Sequence, residues 1–182
     1  VMVTTIRLET LLQEAHPAMT PKNLVTRPTG AAVRNSIERE ILLRRARVAL
    51  LDFSELDLVD LSCADEVVAK LLQRMDVTAE RYVALTGLTE DQAEAIDHVL
   101  SHHQLGVQAI TRGSARPRLL GHFGNDSRAA FDMLIDRGPL DGGSLATELG
   151  WRSDRLADAL QVLCLLGVVM VSAGAYQAVM VA

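Results

Sequence analysis

In this 182-residue chain, the residues whose types and spacing could do chemistry are a histidine cluster, two cysteines and one serine set among acids. His98 and His102 stand four apart on a predicted helix, with His103 next, a spacing that can aim two imidazoles at one metal ion. No third ligand is placed by the spacing, so the cluster reads as a solvated helix end. Cys63 sits at a predicted helix start, where a thiol can be acidified, but Asp60, Asp65 and Glu66 oppose that, and it reads as a small buried thiol. Ser62, with Asp65 three residues on, has the spacing of a capping box, an arrangement contributing about 1 kcal/mol with no further role. Arg27, Thr29 and Gly30 form a strand-to-helix turn that could hold an anion, but ordinary capping is the better account of it. No Gly-Lys-Ser phosphate loop, dinucleotide fingerprint or nucleophile elbow occurs. No catalytic residue, metal or cofactor is therefore expected, and the chain does not read as an enzyme.

The elements that must position these residues follow from periodicity. Val3 to Leu12 alternate weakly, as a first strand or short helix. Leu24 to Thr26 predict a short strand ended by Pro28, with Thr29 capping a helix that buries Ala32, Val33, Ile37 and Ile41. Arg44, Arg45 and Arg47 suit that helix's carbonyl end. Val48 to Phe53 is an apolar run of the kind found in a buried parallel strand, stopped by Asp52, Ser54 and Glu55. Val59, Val67, Val68, Leu71 and Leu72 flank a turn and the next helix. Tyr82 to Leu85 repeat the strand, and Thr89 with Gln92 cap a helix burying Ala93, Ile96, Val99 and Leu100. Gly106 to Ile110 and Pro117 to Leu120 complete a mainly parallel or mixed sheet with right-handed crossovers.

The stretch Leu50-Leu51-Asp52-Phe53-Ser54, followed by Leu58-Val59-Asp60-Leu61-Ser62-Cys63-Ala64-Asp65-Glu66, resembles the STAS domain of sulphate transporters and anti-sigma-factor antagonists. More narrowly, it looks like a bacterial STAS-like family of unassigned activity. The likeness spans most of residues 22 to 121. It implies an α/β fold whose helix start meets protein partners through Asp60, Ser62, Cys63, Asp65 and Glu66. By position, Ser62 corresponds to the serine that a kinase phosphorylates in the antagonists. Leu61 stands where a small hydroxyl residue is common, and Cys63-Ala64 where glycine is usual. Unpaired N–H groups at a helix start can accept a phosphate, whereas Asp60, Asp65 and Glu66 would repel one.

Gly121, Gly124, Asn125 and Asp126 read as a boundary, giving units 1–122 and 127–182. The second unit predicts a helix over Ser127 to Arg137 and a short helix over Ser144 to Leu149. A third helix, capped by Ser153, carries Leu156, Leu160, Leu163 and Leu166 at spacings of three and four, and Val168 to Val171 and Tyr176 to Val181 form a hairpin. That order looks like bacterial winged-helix modules, both DNA-binding and dimerising. Four arginines face six carboxylates in this unit, and only Arg152 and Arg155 offer a basic face to DNA. Protein docking or homodimerisation is favoured over DNA.

A net charge of −5 gives no overall pull toward phosphate backbones. The distant cysteines indicate neither a disulfide framework nor a zinc module, which fits a reducing cytoplasm. The opening stretch, interrupted by Arg7, Glu9 and Glu14, does not read as a signal peptide. Residues 159–182 carry no charge over a span-like length, but Gln161, Ser172, Gly174, Tyr176 and Gln177 interrupt them, and no membrane span is expected. The expectation is a bacterial, non-enzymatic regulatory adaptor whose partner is of the anti-sigma-factor or kinase type. The alternative is a transcriptional regulator with a DNA-binding winged helix.

Overall fold

The computed structural model describes residues 3–18, 22–76 and 79–180, and its architecture is mixed α/β. Five strands form one sheet in the order β1 (Val3–Arg7), β3 (Val48–Asp52), β5 (Tyr82–Leu88), β6 (Gly106–Thr111) and β7 (Arg118–Gly121). The first four are parallel and β7 is antiparallel to β6. The opening segment is both of its expected alternatives in turn, since α1 (Leu8–Ala15) follows β1 directly. β2 (Asn23–Leu24) pairs in parallel with β4 (Leu58–Val59) as a separate two-stranded ribbon. The remaining crossover helices are α2 (Arg27–Leu43), a helix from Leu61 to Arg74, and α5 (Glu90–His102). The 61–74 helix comprises α3 (Leu61–Ala64), a π-type turn (Asp65–Ala69) and α4 (Lys70–Arg74).

Because the parallel strands follow one another across the sheet in one direction, right-handed crossovers place every connecting helix on the same face. The packing follows this rule. Ile6, Ala49, Leu51, Val83, Leu85, Val107 and Ala109 alternate along their strands and share one core with Leu12, Val33, Ile37, Val67, Ile96 and Leu100 from the helices. Residues 119–178 build a second core. In it α6 (Asn125–Arg137), α7 (Gly142–Leu149) and α8 (Ser153–Leu165) pack with the hairpin β8 (Val169–Ser172) and β9 (Ala175–Ala178). The other sheet face meets this segment, where Val48 and Tyr82 touch Met170 and Val179. There the buried Gln108 side chain donates to the Met180 carbonyl at 2.6 Å and accepts from its N–H at 3.1 Å.

Three expected caps differ. Helix α2 begins before Thr29, with Pro28 in its first turn and Thr26 at the capping position in a left-handed conformation (φ 70°), so Thr29 lies inside the helix and shares a hydroxyl contact with Thr26 at 3.0 Å. Arg152 rather than Ser153 precedes α8, and no side chain caps it. Asp60 rather than Ser62 caps α3, accepting from the Cys63 N–H at 2.8 Å. The Thr89–Gln92 capping box is present in full. Val181, assigned to the last strand from sequence, lies outside the described residues. Among the described residues no helix is long and apolar enough to cross a membrane.

Candidate functional site

The site grows from the carboxyl ends of β3 and β4. Asp52 turns its carboxylate back onto the Ser54 N–H (2.9 Å), which closes the strand end. Gly87 packs against it: a side chain there would lie 2.2 Å from Ser54 Oγ, and its φ of 73° already favours glycine. Arg112 crosses the same rim and donates to the carbonyls of Gly87 (2.8 Å), Phe53 (3.1 Å) and Leu56 (2.7 Å). Gln92, besides closing its capping box, donates to Leu56 and Asp57 carbonyls at 2.9 and 3.2 Å. Loop 53–57 is thereby held by two side chains from elsewhere in the chain.

Asp60 is the hub of the helix start. One carboxylate oxygen accepts from the Cys63 N–H and the Ser62 hydroxyl (both 2.8 Å), and the other accepts from the Thr26 N–H at 3.0 Å. Burial pushes the Asp60 carboxyl up, but the backbone hydrogen bonds from Thr26 and Cys63 and the one from Ser62 outweigh it and hold it below its ordinary value. Ser62 is half-buried, and its hydroxyl proton is committed to Asp60. Cys63 is buried with its Sγ 3.1 Å from the Thr26 carbonyl, and burial followed by the charge of Asp60 pushes its thiol up to about 12.

Of the three acids expected to repel a phosphate, Asp65 and Glu66 already face basic side chains, while Asp60 has no ion-pair partner among the described residues. Glu66, buried, accepts from Arg34, Lys70 and Arg27, the last at 2.8 Å. Asp65 accepts from Arg27 at 2.7 Å and pairs with His103 Nε2 at 2.8 Å. Burial raises both carboxyls, and the opposing cations more than reverse it, leaving both below their ordinary values. Gly30 lets α2 approach: a Cβ there would stand 3.0 Å from Glu66 Cβ and 3.2 Å from Cys63. Arg27, considered as half of an anion-holding turn, is thus occupied by carboxylates.

The five residues expected to meet a partner are brought together, but only in part at the surface. Cys63 and Glu66 lie beneath it, so they brace the rim rather than form it. What the rim presents is Asp60 and Ser62 between two leucines missed from sequence, Leu58 (54% exposed) and Leu61 (53%). The signal was available, because Leu61 stands where a small hydroxyl residue was expected.

The other candidates disperse. His98 and His102 are exposed, His103 shares a hydrogen bond with Asp65, and no group of three potential ligands occurs among the described residues. Arg152 reaches Asp154 (2.9 Å), while Arg155 is tied to Asp126 (2.6 Å) with its guanidinium 4.2 Å from the Trp151 ring centre. The exposed face of α8 carries Asp154, Asp158 and Gln161 rather than a run of cations. Searches against known protein families, curated proteins and solved structures find no match for this chain.

Proposed function

We propose that the chain is a non-enzymatic adaptor, a STAS-like unit followed by a winged-helix-like one, that docks a protein partner on the rim formed by Leu58, Asp60, Leu61 and Ser62. The observation carrying this reading is the pair of exposed leucines on a rim that Asp60, Arg112 and Gln92 hold rigid. Rigid apolar anchors lose little freedom on binding, which is what a docking surface needs. Chemistry has no comparable support: the carboxylate that receives the Ser62 hydroxyl also accepts two backbone N–H groups, which hold it below its ordinary value and make it a weak base.

Ser62 is the natural switch of this surface. Phosphorylation would replace the proton given to Asp60 with two negative charges beside that carboxylate, loosening the cap of α3 and changing what a partner meets. Because the hydroxyl is half-buried, a kinase of the antagonist type would need the first turn to open. The winged-helix-like unit serves docking rather than DNA, since Arg155 is paired with Asp126 and α8 exposes Asp154 and Asp158 rather than a run of cations.

The test is affinity capture with the wild-type chain and its Leu61→Glu and Ser62→Asp variants, followed by mass spectrometry. Partners recovered by wild type and lost from Leu61→Glu support the rim. Equal partner affinity for wild type and Ser62→Asp removes the switch, and capture indifferent to Leu61→Glu removes the rim.

A further inference from the structure

Five non-glycine residues have positive φ among the described residues, and one of them is unlike the rest. Arg45, Glu80, Gln104 and Ala173 lie between 48° and 55°, close to the left-handed helical value that a turn residue can adopt. Thr26 stands at φ 70° and ψ 139°, away from the small left-handed region, and it is the only β-branched residue of the five. A branched side chain crowds its own backbone there, so the conformation persists only where neighbouring groups over-determine it.

Groups at the start of the 61–74 helix do the holding. The Thr26 N–H donates to Asp60 Oδ2 at 3.0 Å, and its carbonyl accepts from Cys63 Sγ at 3.1 Å as well as from the Gly30 N–H at 3.0 Å. Arg27, next along the chain, is tied to Asp65 and Glu66. The same two segments meet again in the ribbon, where the Asp57 N–H donates to the Lys22 carbonyl at 2.7 Å and the Asp60 N–H to the Leu24 carbonyl at 3.2 Å. Leu58, one of the two leucines of the rim, pairs with Asn23 between these bonds. Asp60 therefore serves both contacts: its backbone closes the ribbon and its carboxylate closes the Thr26 turn.

We infer that Thr26 is a strained hinge latched by the Asp60 carboxylate, and that a negative charge at position 62 opens the latch and slackens the ribbon carrying Leu58. This rests on the docking reading proposed above and names how its surface is switched. Asp60 serves Thr26 with Oδ2 and serves Ser62 and Cys63 with Oδ1. An anion at position 62 removes the hydroxyl donor and repels the carboxylate at close range, so Asp60 no longer holds both sides. With its N–H released, Thr26 gains by returning to negative φ, which redirects the chain where β2 leads into α2. Stored strain thus converts a local charge into a displacement of one anchor of the rim.

Two measurements on the full chain test the hinge without any partner. In urea unfolding, Thr26→Gly should be more stable than Thr26→Ala by about tenfold in the equilibrium constant, the reverse of the order at an ordinary position. Amide hydrogen exchange reads the latch. Asn has a single side-chain carbonyl oxygen, so Asp60→Asn keeps a good cap for α3 but cannot also accept from Thr26. Asp60→Asn and Ser62→Asp should each speed exchange at positions 26, 57 and 60 by about tenfold or more while β5 and β6 keep their protection. Adding Thr26→Gly to either should restore slow exchange at 57 and 60, whereas a cap that is only structural would lose more protection with the added glycine. The two latch variants are independent, so if one fails to fold the other decides. Thr26→Ala at least as stable as Thr26→Gly overturns the inference, as does ribbon exchange unmoved by Ser62→Asp or not restored by Thr26→Gly. Affinity capture keeps the two readings apart. A partner lost from Leu61→Glu, with ribbon exchange unmoved by Ser62→Asp, refutes only the hinge, whereas capture unchanged by Leu61→Glu refutes the docking rim itself.

Discussion

Glu66 shows how a single side chain decides the behaviour of the helix start. Three cations converge on it beneath the surface, so removing it leaves Arg34 buried without its main counter-ion. Glu66→Gln should cost about 3–5 kcal/mol in urea unfolding, the usual consequence of stranding one member of a buried pair. The pH dependence has a definite sign. Asp60, Asp65 and Glu66 all titrate below their ordinary values in the folded chain, so their contribution is complete above the unfolded carboxylate range near about pH 4. It is lost as pH falls through their folded values, and the acid limb of a stability-versus-pH curve should be shallower in Glu66→Gln. Cys63, buried and with its thiol pushed to about 12, should resist Ellman's reagent at pH 8 until the chain unfolds. Cys63→Ala should therefore leave the native labelling rate, set by half-buried Cys164, unchanged.

At the scale of elements, the junction of α2 with the 61–74 helix is set by one missing side chain. Gly30→Ala would press a methyl against Glu66 Cβ and the Cys63 backbone, neither of which is a flexible chain end. The expected loss is about 1–3 kcal/mol, read as a lower urea midpoint with an unchanged slope. Much of this level was legible in the sequence. The apolar runs at Val48–Asp52, Tyr82–Leu85 and Gly106–Ile110 are strands, and the Thr89–Gln92 box caps α5 as its spacing required. Starts of helices were less legible, because a cap is chosen by where the chain enters. Asp60 outcompetes Ser62 since Asp60 also receives the Thr26 N–H from across the ribbon, a contact between residues 34 apart. The same limit hid the Arg27–Arg34–Glu66 cluster. The seven-residue spacing of the arginines marks one helix face, but nothing local says which acid that face will meet. Arg112, whose three carbonyl partners come from two other segments, left no pattern to read.

The whole molecule has two unlike faces to its sheet. Every crossover helix lies on one, and the other is met by residues from 168 onward, where Met170, Val179 and the Gln108 clasp on Met180 make the contact. Gln108→Leu would leave the Met180 peptide group without the amide that matches both its donor and its acceptor. It should lower the hydrogen-exchange protection of residues 168–180 more than that of β3. How residues 168–180 meet the sheet was not legible from sequence, because a buried glutamine inside a strand reads only as an interruption of an apolar run. The arrangement also has a temporal side. As the ribosome extends the chain from its amino end, the sheet and its helices emerge first, and Val48, Tyr82 and Gln108 stay wetted until the closing hairpin follows. A nascent chain stalled before residue 168 would thus offer chaperones an oily, half-finished sheet that waits for Met170 and Val179 to cover it.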